Sequence, residues 1–200
     1  MDSSSGARMP VEFYTDPLCP WAWRTAVWIR DVAKVRPITI KWGLLALEEI
    51  NRSEAGTEYH KRRTRARPVL RTLTLALREG GDEMFDRLYV ELGKARHEES
   101  EDLGERATLD NAVKAAGLAA DLPDRALADS ATDDFLRTEY DRLADLGAFG
   151  VPTIIIPDAK PMFGPIIYPR DDAEDAGELW DHFVWLTRRG DFYELKRNRD

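Results

Sequence analysis

The chain has 200 residues, 43% of them hydrophobic, which is enough for one core with room for an inserted subdomain and excludes a small scaffold that depends on stapling. Its single cysteine excludes an internal disulfide, and a formal charge of -8 with a pI near 5.1 argues against a general nucleic-acid binder, whose footprint is basic. The first ten residues are small and polar without an apolar leader, and no run is long enough to cross a bilayer, so the expected setting is a reducing cytoplasm with no membrane partner.

In chain order, Val11 to Thr15 and Ile38 to Leu47 read as strands joined by a helix from Cys19 to about Arg36, a βαβ opening. Strand signals then stop. From about Asn51 to Gly147 the pattern is helical, charged and broken by Pro68, Gly80-Gly81, Gly104, Gly117 and Pro123, which predicts four or five helices in an inserted cap. Strand character returns at Val151 to Ile156 and at Met162 to Tyr168, linked by the turn-rich Pro157-Asp158-Ala159-Lys160. An amphipathic helix follows from about Asp171 to Arg189, then a tail from Asp191 whose first half, with Phe192, Tyr193 and Leu195, is expected to pack. This order predicts an α/β, thioredoxin-like fold. Residues 11–50 and 148–200 would form a discontinuous sheet domain, and residues 51–147 the helical cap.

The chemistry concentrates at Asp16-Pro17-Leu18-Cys19-Pro20-Trp21-Ala22-Trp23. Cys19 falls where the first strand gives way to a helix, Pro20 suits the first helical turn, and unpaired N–H groups there favour the thiolate. The bland alternative is a lone cysteine acting as a small buried hydrophobe. Position 22, where a Cys-X-X-Cys redox pair carries its second cysteine, is Ala22.

The Asp-Pro-Leu-Cys-Pro-Trp-Ala-Trp run, the Gly150-Val151-Pro152-Thr153 segment, the Phe163-Gly164-Pro165 turn and the Phe192-Tyr193-Glu194-Leu195-Lys196-Arg197 tail resemble the DsbA-like disulfide oxidoreductases. Within them the chain is more similar to the actinobacterial mycothiol-dependent reductases, including the mycothiol-dependent nitroreductase. The resemblance implies that Cys19 is the nucleophile, with Pro20 and Trp21 completing the motif. It also implies a cis Val151-Pro152 peptide against the sulfur and a Val151 backbone that pairs with substrate or thiol. An ordinary trans proline opening an edge strand is the alternative for Pro152. Thr153 is a weaker candidate to donate its hydroxyl near the thiolate.

Because Ala22 removes the intramolecular exit of a dithiol mechanism, any mixed disulfide on Cys19 must be resolved by another molecule. The implied co-substrate is a low-molecular-weight thiol, mycothiol or glutathione, with no tightly bound cofactor and a small-molecule or disulfide substrate. Three readings stay open: a monothiol oxidoreductase or thiol transferase, a relative turned to isomerisation, cyclisation or thiol conjugation, and a non-catalytic binding module.

Other residues are less specific. His97 lies in Gly93-Lys94-Ala95-Arg96-His97-Glu98, where closer relatives carry a histidine; it either bonds the bound thiol or shuttles a proton, or is a solvated surface residue. Trp21 is placed to wall the sulfur and stack on a planar substrate. Trp23 belongs to the inner helix face, although its nearness to the motif makes it a candidate thiol contact. Lys61 to Arg67 form a basic island that either attracts an anion or is a helix face paired with Glu54 and Glu58. Asp16 takes a turn role by default; the alternative is that it and Tyr14 tune the thiol, with the carboxylate raising its pKa against the helix effect. No histidine or cysteine spacing supports a metal site.

Overall fold

The computed structural model describes residues 8–198. Residues 1–7, most of the polar start, and the last two residues lie outside the described residues. So do the side chains of Tyr59 and of Arg62, the latter part of the basic island.

Four strands form one sheet in the order β2-β1-β3-β4: β1 (Met9–Thr15), β2 (Ile38–Leu44), β3 (Thr153–Ile155) and β4 (Met162–Phe163). β1 and β2 run parallel, from Met9 opposite Ile38 to Thr15 opposite Leu44, and β3 and β4 join antiparallel. The parallel pair needs a crossover, supplied by α1 (Pro20–Val35), which buries Ala22, Trp23, Ala26, Ile29 and Val32 against the sheet. That helix stops at Arg36, extended at φ -127 and ψ 145 because the next residue is Pro37.

β2 ends three residues earlier than the sequence predicts. The Leu47 N–H donates to the Asp16 side chain at 2.8 Å and opens a short helix, α2 (Leu47–Ile50). A 3-10 turn at Arg52–Glu54 follows, then α3 (Glu58–Thr64), α4 (Arg67–His97), α5 (Arg106–Ala115), α6 (Leu122–Ala128) and α7 (Ser130–Asp145). Among the described residues six α-helices therefore separate β2 from β3: α2 precedes Asn51, and the other five lie between residues 51 and 147, in line with the four or five that the sequence predicts. Pro68 opens α4 from its first turn instead of breaking a helix. Gly81 interrupts α4 without ending it, at φ 63 and ψ -158, a conformation that only glycine adopts readily.

After that kink the Asp82 carboxylate accepts the Trp42 N–H of β2 at 2.8 Å and the Lys41 ammonium at 2.9 Å. The second half of α4 then lays Phe85, Leu88, Tyr89 and Leu92 into the core, with Phe85 and Tyr89 against Trp42 and Tyr89 against Trp23. Gly93 continues this face. A β-carbon there would overlap the Trp23 indole, so glycine sets how closely α4 approaches α1.

β3 and β4 are shorter than expected. Val151 and Pro152 form a bend with a cis peptide before β3, and Gly164, at φ 100, with Pro165 takes the chain out of the ladder after β4. The last helix, α8 (Ala173–Thr187), packs on α1 through Trp180 and Phe183 around Trp28, whose indole N–H donates to Ala176 O at 3.2 Å. The tail is largely a correction: Phe192 is half-buried, but Tyr193 and Leu195 are both 85% exposed rather than packed. Among the described residues no helix is long and apolar enough to cross a membrane.

Candidate active site around Cys19

β1 delivers the chain to a tight turn. The Cys19 N–H donates to Asp16 O at 2.9 Å, and one Asp16 carboxylate oxygen accepts from the Leu18 N–H at 2.7 Å while the other holds Leu47. Asp16 therefore fastens the cysteine turn to the start of α2, more than the local turn role its position suggests. Burial pushes its carboxyl above the ordinary range, against the two N–H donors and the nearby Arg63.

Cys19 caps α1, with Pro20 exposed behind it at the first helical position. Its sulfur accepts the Ala22 N–H at 3.4 Å and donates to Val151 O at 3.7 Å. The Val151-Pro152 peptide is cis, and Pro152 O accepts the Gly164 N–H at 2.8 Å, which ties the bend to the segment after β4. The helix start acts on the thiol in the expected direction, through the Ala22 and Trp21 N–H groups, with help from Arg63. It is outweighed: Cys19 is only 8% exposed, and burial first, then Asp16, push the thiol up. From the sequence, the helix end outweighs the alternative of a buried cysteine, and the depth of the residue reverses that weighting. Replacing Asp16 by Asn should move the midpoint of Cys19 alkylation by iodoacetamide downward, because the one charge that opposes the thiolate, in addition to burial, is removed. An unmoved or raised midpoint would show that Asp16 does not act on the sulfur.

The other residues singled out from the sequence divide. Trp21 is half-buried, edge to face with Tyr168 at a centroid distance of 5.8 Å. Trp23 is buried between Tyr89 and His97, with the His97 ring nearly parallel at 6.1 Å, which places it in the core. Thr153 donates its hydroxyl to Gly150 O at 2.6 Å, so that hydrogen is engaged within the bend and not by the sulfur. His97 is not a solvated residue. Its Nε2 lies 2.9 Å from Pro17 O, which requires a proton on that nitrogen, and burial holds the ring below its ordinary range. It thereby clamps the turn that carries Cys19.

The basic island is mostly a paired face: Lys61 with Glu58, Arg65 with Asp102 and Glu105, Arg67 with Glu48, Glu49 and Asp133. Arg63 also bears on the site, since its charge favours the ionised forms of Asp16 and Cys19. Sequence reasoning also missed Arg24, whose guanidinium covers Trp21 and Tyr168. The signal was there, since residues three apart on a helix share a face. Nothing local marks Tyr168, which reaches the motif only because the segment after β4 folds back, with Pro165 O accepting the Thr25 hydroxyl at 2.7 Å.

Residues 18–197 match the model of the Rv2466c-like family, described as mycothiol-dependent nitroreductase Rv2466c. The chain belongs to this family. A Mycobacterium tuberculosis relative, uncharacterized protein Rv2286c, is 32% identical over 187 residues, 94% of this chain and 81% of that protein. Solved structures extend the likeness. The cytosolic disulfide reductase DsbM of Pseudomonas aeruginosa, also solved with GSH, superposes with a TM-score of 0.61 at 14% identity over 89% of this chain and all of that one. A 2-hydroxychromene-2-carboxylate isomerase reaches 0.62 at 17% identity over 90% of this chain and 97% of that one. Pseudomonas aeruginosa DsbA gives 0.55 at 14% identity over 92% and 86%. At such identities these structures establish the fold of this family member, the DsbA-like form of the thioredoxin fold.

Proposed function

We propose that this protein is a thiol-dependent oxidoreductase or thiol transferase that works through Cys19 alone, with a low-molecular-weight thiol, mycothiol or else glutathione, as co-substrate. The observation that carries the reading is the Cys19 sulfur set 3.7 Å from Val151 O beside the Val151-Pro152 bend, with Ala22 at the position of a second cysteine. Membership of a family described as mycothiol-dependent supports the choice of thiol.

In the proposed cycle the Cys19 thiolate attacks one sulfur of a disulfide, the S–S bond breaks, and the other half leaves as a thiolate. A free thiol then attacks the adduct and regenerates Cys19. For a quinone-like or nitro substrate, oxidation of two thiols to a disulfide supplies each electron pair. Loss of the thiol proton ends the donation to Val151 O and frees that carbonyl to pair with the incoming chain. The residues assigned to the work are Cys19, Pro20, Trp21, Val151 and Pro152, with His97 as a positioning residue. Residues 51–147 are assigned to a cap over the sheet unit, and the cytoplasm is the compartment that keeps the lone thiol reduced.

The test is incubation with oxidised mycothiol, and separately with oxidised glutathione, followed by mass spectrometry. A single adduct on Cys19, released by excess reduced thiol and absent from Cys19→Ser, is expected. No adduct even at alkaline pH would overturn the proposal. The raised thiol favours one second reading, in which a protonated Cys19 serves isomerisation or conjugation of a bound thiol, and that reading predicts turnover without any adduct.

A further inference from the structure

One turn beyond Trp21, Arg24 lays its guanidinium 3.9 Å from the centre of the Tyr168 ring and 4.9 Å from that of Trp21. Among the described residues no carboxylate pairs with Arg24. Arg30 on the same helix holds Asp86 at 2.6 Å, and Arg36 at its C-terminal cap holds Glu174 and Asp181, each at 2.9 Å. A guanidinium attracted by its face to aromatic rings keeps its N–H edge for a planar anion, and a carboxylate matches that fork. In a chain where 37 acids outnumber 29 bases, two cations act on this part of the molecule, Arg24 on His97 and Arg63 on Cys19, against the charge of Asp16.

Aromatic surface accompanies the charge. Phe149 and Phe163 stack with centroids 5.3 Å apart, and both are exposed, as is Tyr168. They adjoin the bend from two directions: Phe149 stands two residues before Val151, and Phe163 is the cross-strand partner of Thr153. Exposed π faces beside a cation suit a flat molecule with a negative edge.

We propose that Arg24 is a specificity-determining residue that selects aromatic substrates bearing a carboxylate, with the arene on the Trp21 and Tyr168 side of the site and the carboxylate on the guanidinium. This rests on Cys19 being the nucleophile. With an aryl disulfide the Cys19 thiolate attacks one sulfur, the S–S bond breaks, and the second arylthiolate leaves with the electron pair. The carboxylate orients the ring and takes no part in the bond changes.

The experiment compares two flat disulfides, dithiobis(nitrobenzoate), with a carboxylate on each ring, and neutral dithiodipyridine. The rate constant of each with Cys19 is read from the coloured thiol released. In Arg24→Gln the ratio of anionic to neutral rate constants should fall about fivefold, and Arg24→Lys should restore most of it. Added salt should lower the ratio for the natural chain and leave that of Arg24→Gln level. An unchanged ratio in Arg24→Gln overturns the inference, and so does a fall that Arg24→Lys fails to restore, since the shape of the stack would then be responsible. A natural chain that reacts with neither probe removes the thiol function itself, and this inference with it.

Discussion

Replacing Ala22 by cysteine should shorten the life of a Cys19 mixed disulfide, in the absence of added thiol, by about a hundredfold or more. The backbone N–H of residue 22 already lies 3.4 Å from the Cys19 sulfur, and the Ala22 side chain is fully buried in the apolar group that holds Cys19, Tyr14, Leu45, Leu143 and Val151. A thiol at this position reaches the adduct without a second encounter, and the effective concentration of a well-placed intramolecular group far exceeds that of any free thiol. The added sulfur enters a packed position and is expected to cost about 1 kcal/mol or more. The measurement is the rate at which a chromophoric arylthiol is released from the desalted adduct, for the natural chain and for Ala22→Cys. Equal lifetimes in a folded variant would mean that residue 22 does not face the sulfur as the structure has it.

The second large effect concerns stability. Arg67 holds three carboxylates, Glu48, Glu49 and Asp133, and a single guanidinium shared three ways does not neutralise them all. Glu48 is the most deeply placed, and its carboxyl is pushed up to about 7 from an ordinary 4.5: burial outweighs Arg67, while Glu49 and Asp16 add to the rise. The folded chain thus keeps a proton on Glu48 where the unfolded chain has lost it. Stability must then fall as pH rises from about 4.5 towards 7, by at most about 3 kcal/mol. Glu48→Gln should flatten that slope and raise the melting temperature at pH ~8 by roughly 5 °C. His97, held below its ordinary range, works in the opposite direction at mildly acid pH, so the difference between the two chains is what isolates Glu48. Melting curves that stay parallel from pH ~5 to ~8 would exclude Glu48 as the titrating group.

Both effects involve Asp16 and its neighbours, a part of the molecule the sequence described poorly. The helix beginning at Cys19 and the return of strand character at Thr153 were legible because their signals are local: a proline in the first turn, a β-branched run, a glycine-proline stop. The depth of Cys19 was not, because it depends on Leu45, Leu143 and Val151 meeting from distant parts of the chain. The same holds for His97, whose partner Pro17 O is 80 residues away, and for Trp23, whose neighbour Tyr89 comes from α4. Between residues 51 and 147 the five helices of the described residues agree with the number expected, whereas the start of α2 at Leu47 was not legible, because it depends on the Asp16 carboxylate 31 residues away.

The Asp82 contact with β2 has a consequence for how the protein behaves among its own copies. β2 is the outermost strand on its side of the sheet, and its free backbone groups are a template on which another chain can add a strand. A helix-borne carboxylate that takes the Trp42 N–H, beside a paired Lys41 charge, occupies that template with a group no incoming strand can extend. At the opposite side β4 offers two residues before Gly164 and Pro165 turn the chain away. Both margins of the sheet are thereby blunted as templates for intermolecular β-pairing, and the residue that blunts β2 directly follows the Gly81 kink.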